Sequence, residues 1–477
     1  MNLVKEDFIR AFSLYEEKAL QHRRFKHADI LPLLERKVIR KQLVIEEIGK
    51  SVEDRSIFRL KYGQGPVKVL LWSQMHGDEP TATMALFDLF NFLNGEADGF
   101  DTLRKEIAEK LTLYFIPMLN PDGAERYQRR TAMDVDMNRD ARALATVEGS
   151  LLKAQAMLLK PDFAFNLHNQ NNYYNIPGSA TPVTISLLAP AYDYARSVNV
   201  VRADAMRVIV GINKILQQFI PNAVAKYDDE HTPRGFGDNF QKWGTSTILI
   251  ESGACAGDPE KLEVRKYNFI ALLHAFQEIT SGSYLVHDIA DYNAIPFNDE
   301  KLHDVLIRNL SIEKNGKRML VDVAIRQHEK TVASDYYVEG VIEDIGDLQD
   351  FYGYTDMDVG GLQFIPAKMY TDRIFSLAEL TLPGVVELLK QGYGALQISD
   401  RPEGTLMHTF PIQILTDANF QYAGNLFFEG QADFFIGSED GIRFALINGY
   451  LLDLTINLAE QNLKNKLYQP NYIQKGH

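Results

Sequence analysis

Short apolar runs of strand-forming residues recur through the first 250 positions, and segments with helical spacing lie between them. The runs cover residues 67–72, 111–116, 163–167 and 246–250. After the first comes a segment, 81–93, in which Met84, Leu86, Phe87, Leu89, Phe90 and Leu93 mark one helical face. Further helix-like stretches run from about 192 to 219, and from Asp258-Pro259 to about 279. Parallel strands need long crossovers, and helices are the usual covering for both faces of such a sheet. The alternation therefore predicts an α/β domain around a largely parallel central sheet. Functional groups in such folds gather beyond the carboxyl ends of the strands.

Those ends carry the reactive residue types. His76-Gly77-Asp78-Glu79 follows the first run, His168 follows the third and Glu251 follows the fourth. The second is followed by Asn120-Pro121-Asp122-Gly123, which reads as a turn. An imidazole and a carboxylate three residues apart, with a glycine between, can converge on one point. Zinc takes that mixture of N and O ligands, and a catalytic zinc keeps three protein ligands and one position for water. His168 is the natural third ligand beside His76 and Glu79. A carboxylate closing a buried strand is costly unless paired or employed. Glu251 accordingly reads as a general base that takes a proton from the attacking water and later delivers it to a leaving amine. Between Asn120 and Asp140 lie Arg126, Arg129 and Arg130, then Asp134-Val135-Asp136-Met137-Asn138-Arg139. A fixed guanidinium stabilises a developing oxyanion, and an arginine beside an asparagine suits a carboxylate.

Composition narrows the alternatives. At 477 residues, two or three domains are expected. Apolar content of 45% and charged content of 24% are those of a soluble globular protein. No stretch approaches the ~18 uncharged apolar residues of a membrane span. Acids at Glu6 and Asp7 stand where a secretion signal needs an apolar core, so a cytoplasmic location is expected. The single cysteine, Cys255, excludes an internal disulfide and cysteine-rich zinc chemistry. Residues 1–300 hold 35 Lys+Arg against 40 Asp+Glu, and the remainder holds 15 against 24. That acidic excess argues against nucleic acid or an anionic membrane as partner. Three segments are expected: a helical N-terminal stretch over 1–42, a catalytic domain over 43–285 that opens on an antiparallel strand pair (43–45 and 56–60), and a β-rich module over 290–477. The last is marked by strand runs at 321–325 and 444–447 and by turns at Asn315-Gly316 and Asp440-Gly441.

Taken in order, Gly49 to Arg55, His76-Gly77-Asp78-Glu79, Asn120-Pro121-Asp122-Gly123, Arg129-Arg130-Thr131, Asp136-Met137-Asn138-Arg139, Leu167-His168 and Ile250-Glu251 resemble the zinc carboxypeptidase superfamily over roughly residues 43–280. The resemblance implies a carboxypeptidase-like fold, one zinc ion on His76, Glu79 and His168, Glu251 as general base and acid, and Arg129 as oxyanion partner. It implies that Asn138 and Arg139 hold the terminal carboxylate of a peptide or of a small carboxylate-bearing amide. The tyrosine that many relatives place over the substrate has no clean match near Glu230 and His231, where Tyr227 is a nearby candidate. Asp54 stands before Arg55 where the family usually has glycine. Two other functions remain open at this stage. One is an N-acyl amino acid amidohydrolase of the succinylglutamate desuccinylase/aspartoacylase type, and the other is a non-catalytic protein that keeps the zinc site. Oligomeric state is left open.

Overall fold

The computed structural model describes residues 3–36, 41–400, 404, 406–416, 422, 424–456, 458 and 463–468. Nine strands open the fold: β1 (Val44–Lys50), β2 (Ser56–Gly63), β3 (Val67–Trp72), β4 (Leu111–Ile116), β5 (Phe163–Asn169), β6 (Tyr174–Asn175), β7 (Ile185–Leu188), β8 (Val224–Lys226) and β9 (Ser246–Ser252). All but β6 join one mixed sheet in the order β1-β2-β4-β3-β5-β9-β7-β8. Its centre, β4-β3-β5-β9, is parallel throughout, and β1-β2 is the expected antiparallel pair. The central strands read as continuous apolar runs because both faces are covered; β5 and β9 are buried at all but one position each.

The covering helices are α1 (Lys5–Tyr15), α2 (His27–Glu35), α3 (Thr81–Leu93), α4 (Asp101–Lys110), α5 (Pro121–Arg126), α6 (Val147–Leu159), α7 (Val200–Leu216), α8 (Phe236–Lys242), α9 (Leu262–Ser281) and α10 (Ile289–Ala294). Residues from α3, α4, α7 and α9 build the larger core, and α6 and α8 pack a second one that contains Trp72, Phe236 and Phe240. Two local expectations change. Asn120 to Gly123 is the first turn of α5 rather than a free turn: the Asn120 side chain accepts from Gly123 N at 2.9 Å, and Pro121 fills the position where a missing N–H costs nothing. The helix expected from 192 begins at Val200, where Asn199 caps it by accepting from Arg202 N at 2.9 Å.

The N-terminal residues, read from the sequence as a segment before 43, share the larger core through Phe8, Leu20, Phe25, Ile30, Leu33 and Leu34. A buried ion pair reinforces that docking. Arg265 on α9 donates from Nε to Asp88 Oδ2 at 2.7 Å and from Nη2 to the Glu17 carbonyl at 2.9 Å. Asp88 in turn accepts from Glu17 N at 2.7 Å. The chain divides into two compact units, Met1–Glu300 and Lys301–His477. The first closes with β10 (Asp299–Glu300), antiparallel to β6.

The second unit is β-rich. Its strands are β11 (Leu302–Lys314), β12 (Lys317–Val332), β13 (Asp335–Gly346), β14 (Tyr352–Asp358), β15 (Gln363–Pro366), β16 (Lys368–Phe375), β17 (Tyr393–Ile398), β18 (Met407–His408), β19 (Gln413–Leu415), β20 (Phe434–Ser438), β21 (Gly441–Ile447), β22 (Tyr450–Asp453) and β23 (Asn465–Tyr468). One sheet runs β13-β12-β11-β15-β20-β21-β22 with β14 also on β11, and a second runs β16-β17-β19-β23-β18. Helix α11 (Leu382–Lys390) packs into the core of this unit through Val385 and Leu389. Asn315 and Gly316 turn β11 into β12 with φ of 55° and 72°, the left-handed pair that suits a two-residue hairpin. Among the described residues, no helix is long and apolar enough to cross a membrane.

Candidate active site

The loop leaving β3 reverses sharply so that His76 and Glu79 face each other. Gly77 makes that possible: a Cβ there would lie 2.0 Å from the Gly123 carbonyl carbon, so no other residue fits against α5. Glu79 then bridges two rings, with Oε1 2.8 Å from His76 Nδ1 and Oε2 2.7 Å from His168 Nδ1. The ring centroids are 4.8 Å apart and all three side chains are buried. Among the described residues, this trio is the cluster of three His, Cys, Asp or Glu side chains whose ligating atoms lie within 4.8 Å of one another. Two imidazole nitrogens and one carboxylate oxygen, brought together in a buried spot that opens on a cleft, fit a zinc ion.

The electrostatics follow from that crowding. Burial opposes ionisation of Glu79, but the two imidazoles outweigh it and hold the carboxyl well below its usual range. Burial pushes His168 down, toward the neutral ring that binds metals. Burial also works against charge on His76, yet Glu79 and Asp136 overcome it and raise the ring to about 9. A proton there competes with a cation, so metal binding at this cluster is linked to pH.

His168 and Glu251 are register partners on β5 and β9, so their side chains leave the same face of the sheet side by side. Both stand inside the last two residues of their strands rather than beyond them. Burial, then the negative charge of Glu79, pushes the Glu251 carboxyl well above its ordinary range. A cavity of about 280 Å³ brings all seven sequence-predicted residues into one wall: His76, Glu79, His168, Glu251, Arg129, Asn138 and Arg139. Arg129 reaches Glu79 Oε1 at 3.3 Å. Asn138 Oδ1 accepts from Phe236 N at 2.9 Å, tying its turn to the start of α8 and leaving the NH₂ end to donate. Arg139 is exposed and its Nη1 donates to the Asn138 carbonyl at 2.9 Å.

Asp136 had no role in the sequence reading and is central here. Its Oδ1 lies 3.2 Å from His76 Nε2 and accepts from Asn138 N at 3.0 Å. Its Oδ2 accepts from Arg129 Nε at 3.1 Å and pairs with Nη2 at 3.0 Å. Holding Nε2 this way leaves His76 Nδ1 toward Glu79 and the ligand cluster. The available signal was its place two residues before Asn138, as the cap of a 3₁₀ turn over Met137–Arg139. Tyr227 lines the cavity, with its hydroxyl 3.1 Å from that of Tyr174. Tyr174 had no sequence signal, because the two-residue strand β6 brings it there. Behind them, Asp238 Oδ1 braces His231 Nδ1 at 3.0 Å and Thr232 N at 2.8 Å.

Residues 39–155 match the model of a family described as zinc carboxypeptidase. That span holds His76, Glu79, Arg129, Asn138 and Arg139, while His168 and Glu251 lie beyond it. The chain is 33% identical over 101 residues to carboxypeptidase SOL1 of Arabidopsis thaliana, covering 20% of each protein. It is 28% identical over 120 residues to a probable carboxypeptidase 2 of Arthroderma benhamiae, covering 25% of this chain and 21% of that one. The chain thus spans about a fifth of the length of these curated relatives. Among solved structures it is similar to a metallo-carboxypeptidase from Burkholderia cenocepacia, at 17% identity and a TM-score of 0.44 over 54% of this chain and 69% of that one. Carboxypeptidase A of Helicoverpa armigera aligns at 14% identity and a TM-score of 0.41 over 58% and 80%. Residues 39–155 are therefore similar to zinc carboxypeptidases, and that stretch supplies His76 and Glu79 of the His-Glu-His cluster.

Proposed function

We propose that this protein is a zinc-dependent hydrolase of the carboxypeptidase type, cleaving an amide bond next to a free carboxylate. The observation that carries the reading is the adjacency of Glu251 to the His76–Glu79–His168 cluster in one cleft. His76, Glu79 and His168 would hold one zinc ion, which would supply Lewis-acid activation of water and of the scissile carbonyl. Glu251 accepts the proton of the attacking water and passes it to the leaving nitrogen. The Arg129 guanidinium, fixed by Asp136, donates to the oxyanion that develops at the carbonyl. Asn138 and Arg139 hold the free carboxylate and so set which bond meets Glu251.

The zinc carboxypeptidase family match over 39–155 favours peptides over N-acyl amino acids as substrates. A non-catalytic zinc binder has no use for Glu251 or Arg129 at these positions. The deciding experiment pairs metal analysis with turnover. Wild type is expected to carry one zinc that His168→Ala loses. Wild type is expected to cleave peptides with a free C-terminus and to spare C-terminally amidated ones, and Glu251→Gln is expected to keep zinc while kcat on the free peptides drops by about 10²- to 10⁴-fold. Zinc retained by His168→Ala, or preferential hydrolysis of N-acyl amino acids, sinks the reading.

A further inference from the structure

The same cleft contains a polar group that the chemistry above does not use. Asn166 lies on β5 two residues before His168, in register with Trp72 on β3 and Leu249 on β9. Leu249 pairs onward with Leu188 on β7. Alternate residues of a strand face the same side, so Asn166 and Leu249 stand one step behind His168 and Glu251. With Leu188 and Pro190 they line the cavity below the reacting groups. Asn166 is fully buried, and neither its Oδ1 nor its Nδ2 has a hydrogen-bond partner in the protein. An apolar residue at this row would carry no such penalty, as its neighbour Leu249 illustrates. Gly237 on α8 faces this row: a Cβ there would make ordinary contact with Asn166 Nδ2 at 3.5 Å and a tighter one with Pro190 Cγ at 3.2 Å.

We propose that Asn166 is the specificity-determining floor of the substrate pocket and that it recognises a neutral carboxamide, the side chain of a C-terminal glutamine or asparagine. This deepens the carboxypeptidase reading and rests on it. An amide presents a donor and an acceptor side by side, and another amide satisfies both ends at once. A carboxylate uses the donor and leaves the Asn166 carbonyl facing negative charge; an ammonium does the reverse. Apart from the reacting groups Glu79, Arg129 and Glu251, the charged lining residues are Asp228, Glu230 and Arg139, which are exposed, and Asp238, whose Oδ1 is engaged by His231 and Thr232. Apolar Leu188, Pro190 and Leu249 then pack the methylene stem.

The test compares zinc-loaded wild type on peptides that differ only in ending in Gln, Met, Glu or Lys, with Met as the near-isosteric apolar control. Glutamine is expected to lead Met, Glu and Lys by about 10-fold or more in kcat/KM, and Asn166→Leu is expected to abolish the lead over Met. Cleavage with equal rates for Gln and Met in wild type overturns the proposal without any variant and leaves the peptidase reading intact. Calorimetric titration of wild type with free L-glutamine and L-methionine reads the floor without turnover. Selective binding of glutamine, with no peptide cleaved, supports the floor and refutes the peptidase; binding of neither, with no cleavage, overturns both.

Discussion

Asp136 offers the sharpest test of how the cluster is held. Replacing it by alanine removes its contacts to three residues at once: the His76 Nε2 partner at 3.2 Å, the Arg129 anchors at 3.0 and 3.1 Å, and the acceptor for Asn138 N at 3.0 Å. Two consequences push zinc affinity the same way. His76 loses the group that fixes its ring, so its Nδ1 is no longer presented toward Glu79. Arg129 loses its counter-charge while its Nη1 remains 3.1 Å from His76 Nδ1 and 3.3 Å from Glu79 Oε1, where an unbalanced cation repels a dication. Partners of metal-binding histidines typically contribute about 10- to 100-fold in affinity, which is ~1.4–2.7 kcal/mol at 1.36 kcal/mol per tenfold. With both effects acting, the upper half of that range is expected for Asp136→Ala. Asp136→Asn keeps an oxygen for the ring N–H but loses the charge on Arg129, so its loss is expected near the lower end. Competition against a chelating zinc indicator at neutral pH measures both constants, and circular dichroism reports whether each variant is folded. A folded Asp136→Ala protein that binds zinc within about threefold of wild type would refute the reasoning.

Two further outcomes concern stability. Arg265→Met leaves Asp88 buried without its counter-ion and cuts the link to Glu17; denaturant unfolding of the full chain is expected to show a loss of about 3–5 kcal/mol, and a loss under about 1 kcal/mol would mean the pair does not anchor the N-terminal helices. In the second unit, burial depresses His408 from 6.5 to about 4. The unfolded chain therefore binds the extra proton first, so the stability from keeping this ring neutral is complete above pH 6.5 and is lost as pH falls to about 4, on the order of 3 kcal/mol. Urea unfolding of wild type and His408→Asn across that window checks the sign, since parallel acid limbs would remove His408 as the cause.

The central strands were readable because burial on both faces leaves uninterrupted apolar runs, a signal local to each segment. Glu251 and the two histidines were readable for a related reason: polar groups that close such runs stand out against them. The start of α7 was misread because the apolar residues from 192 onward continue the helical texture, and the Asn199 cap decides the boundary by a hydrogen bond. Which surface the N-terminal helices cover was not legible, because an amphipathic helix does not specify its partner.

Taken alone, the order of residues determined the α/β class and the strand ends that carry the two histidines and Glu251. These depend on periodicity and chemistry within a few positions. Only the tertiary structure decided that His168 stands beside Glu251, that Asp136 orients His76, that Asn166 lies unpaired behind the reacting groups and that Tyr174 meets Tyr227. Each of those pairings joins distant segments through strand register or a loop crossing, and a register shift of one residue would turn the same side chains to the opposite face.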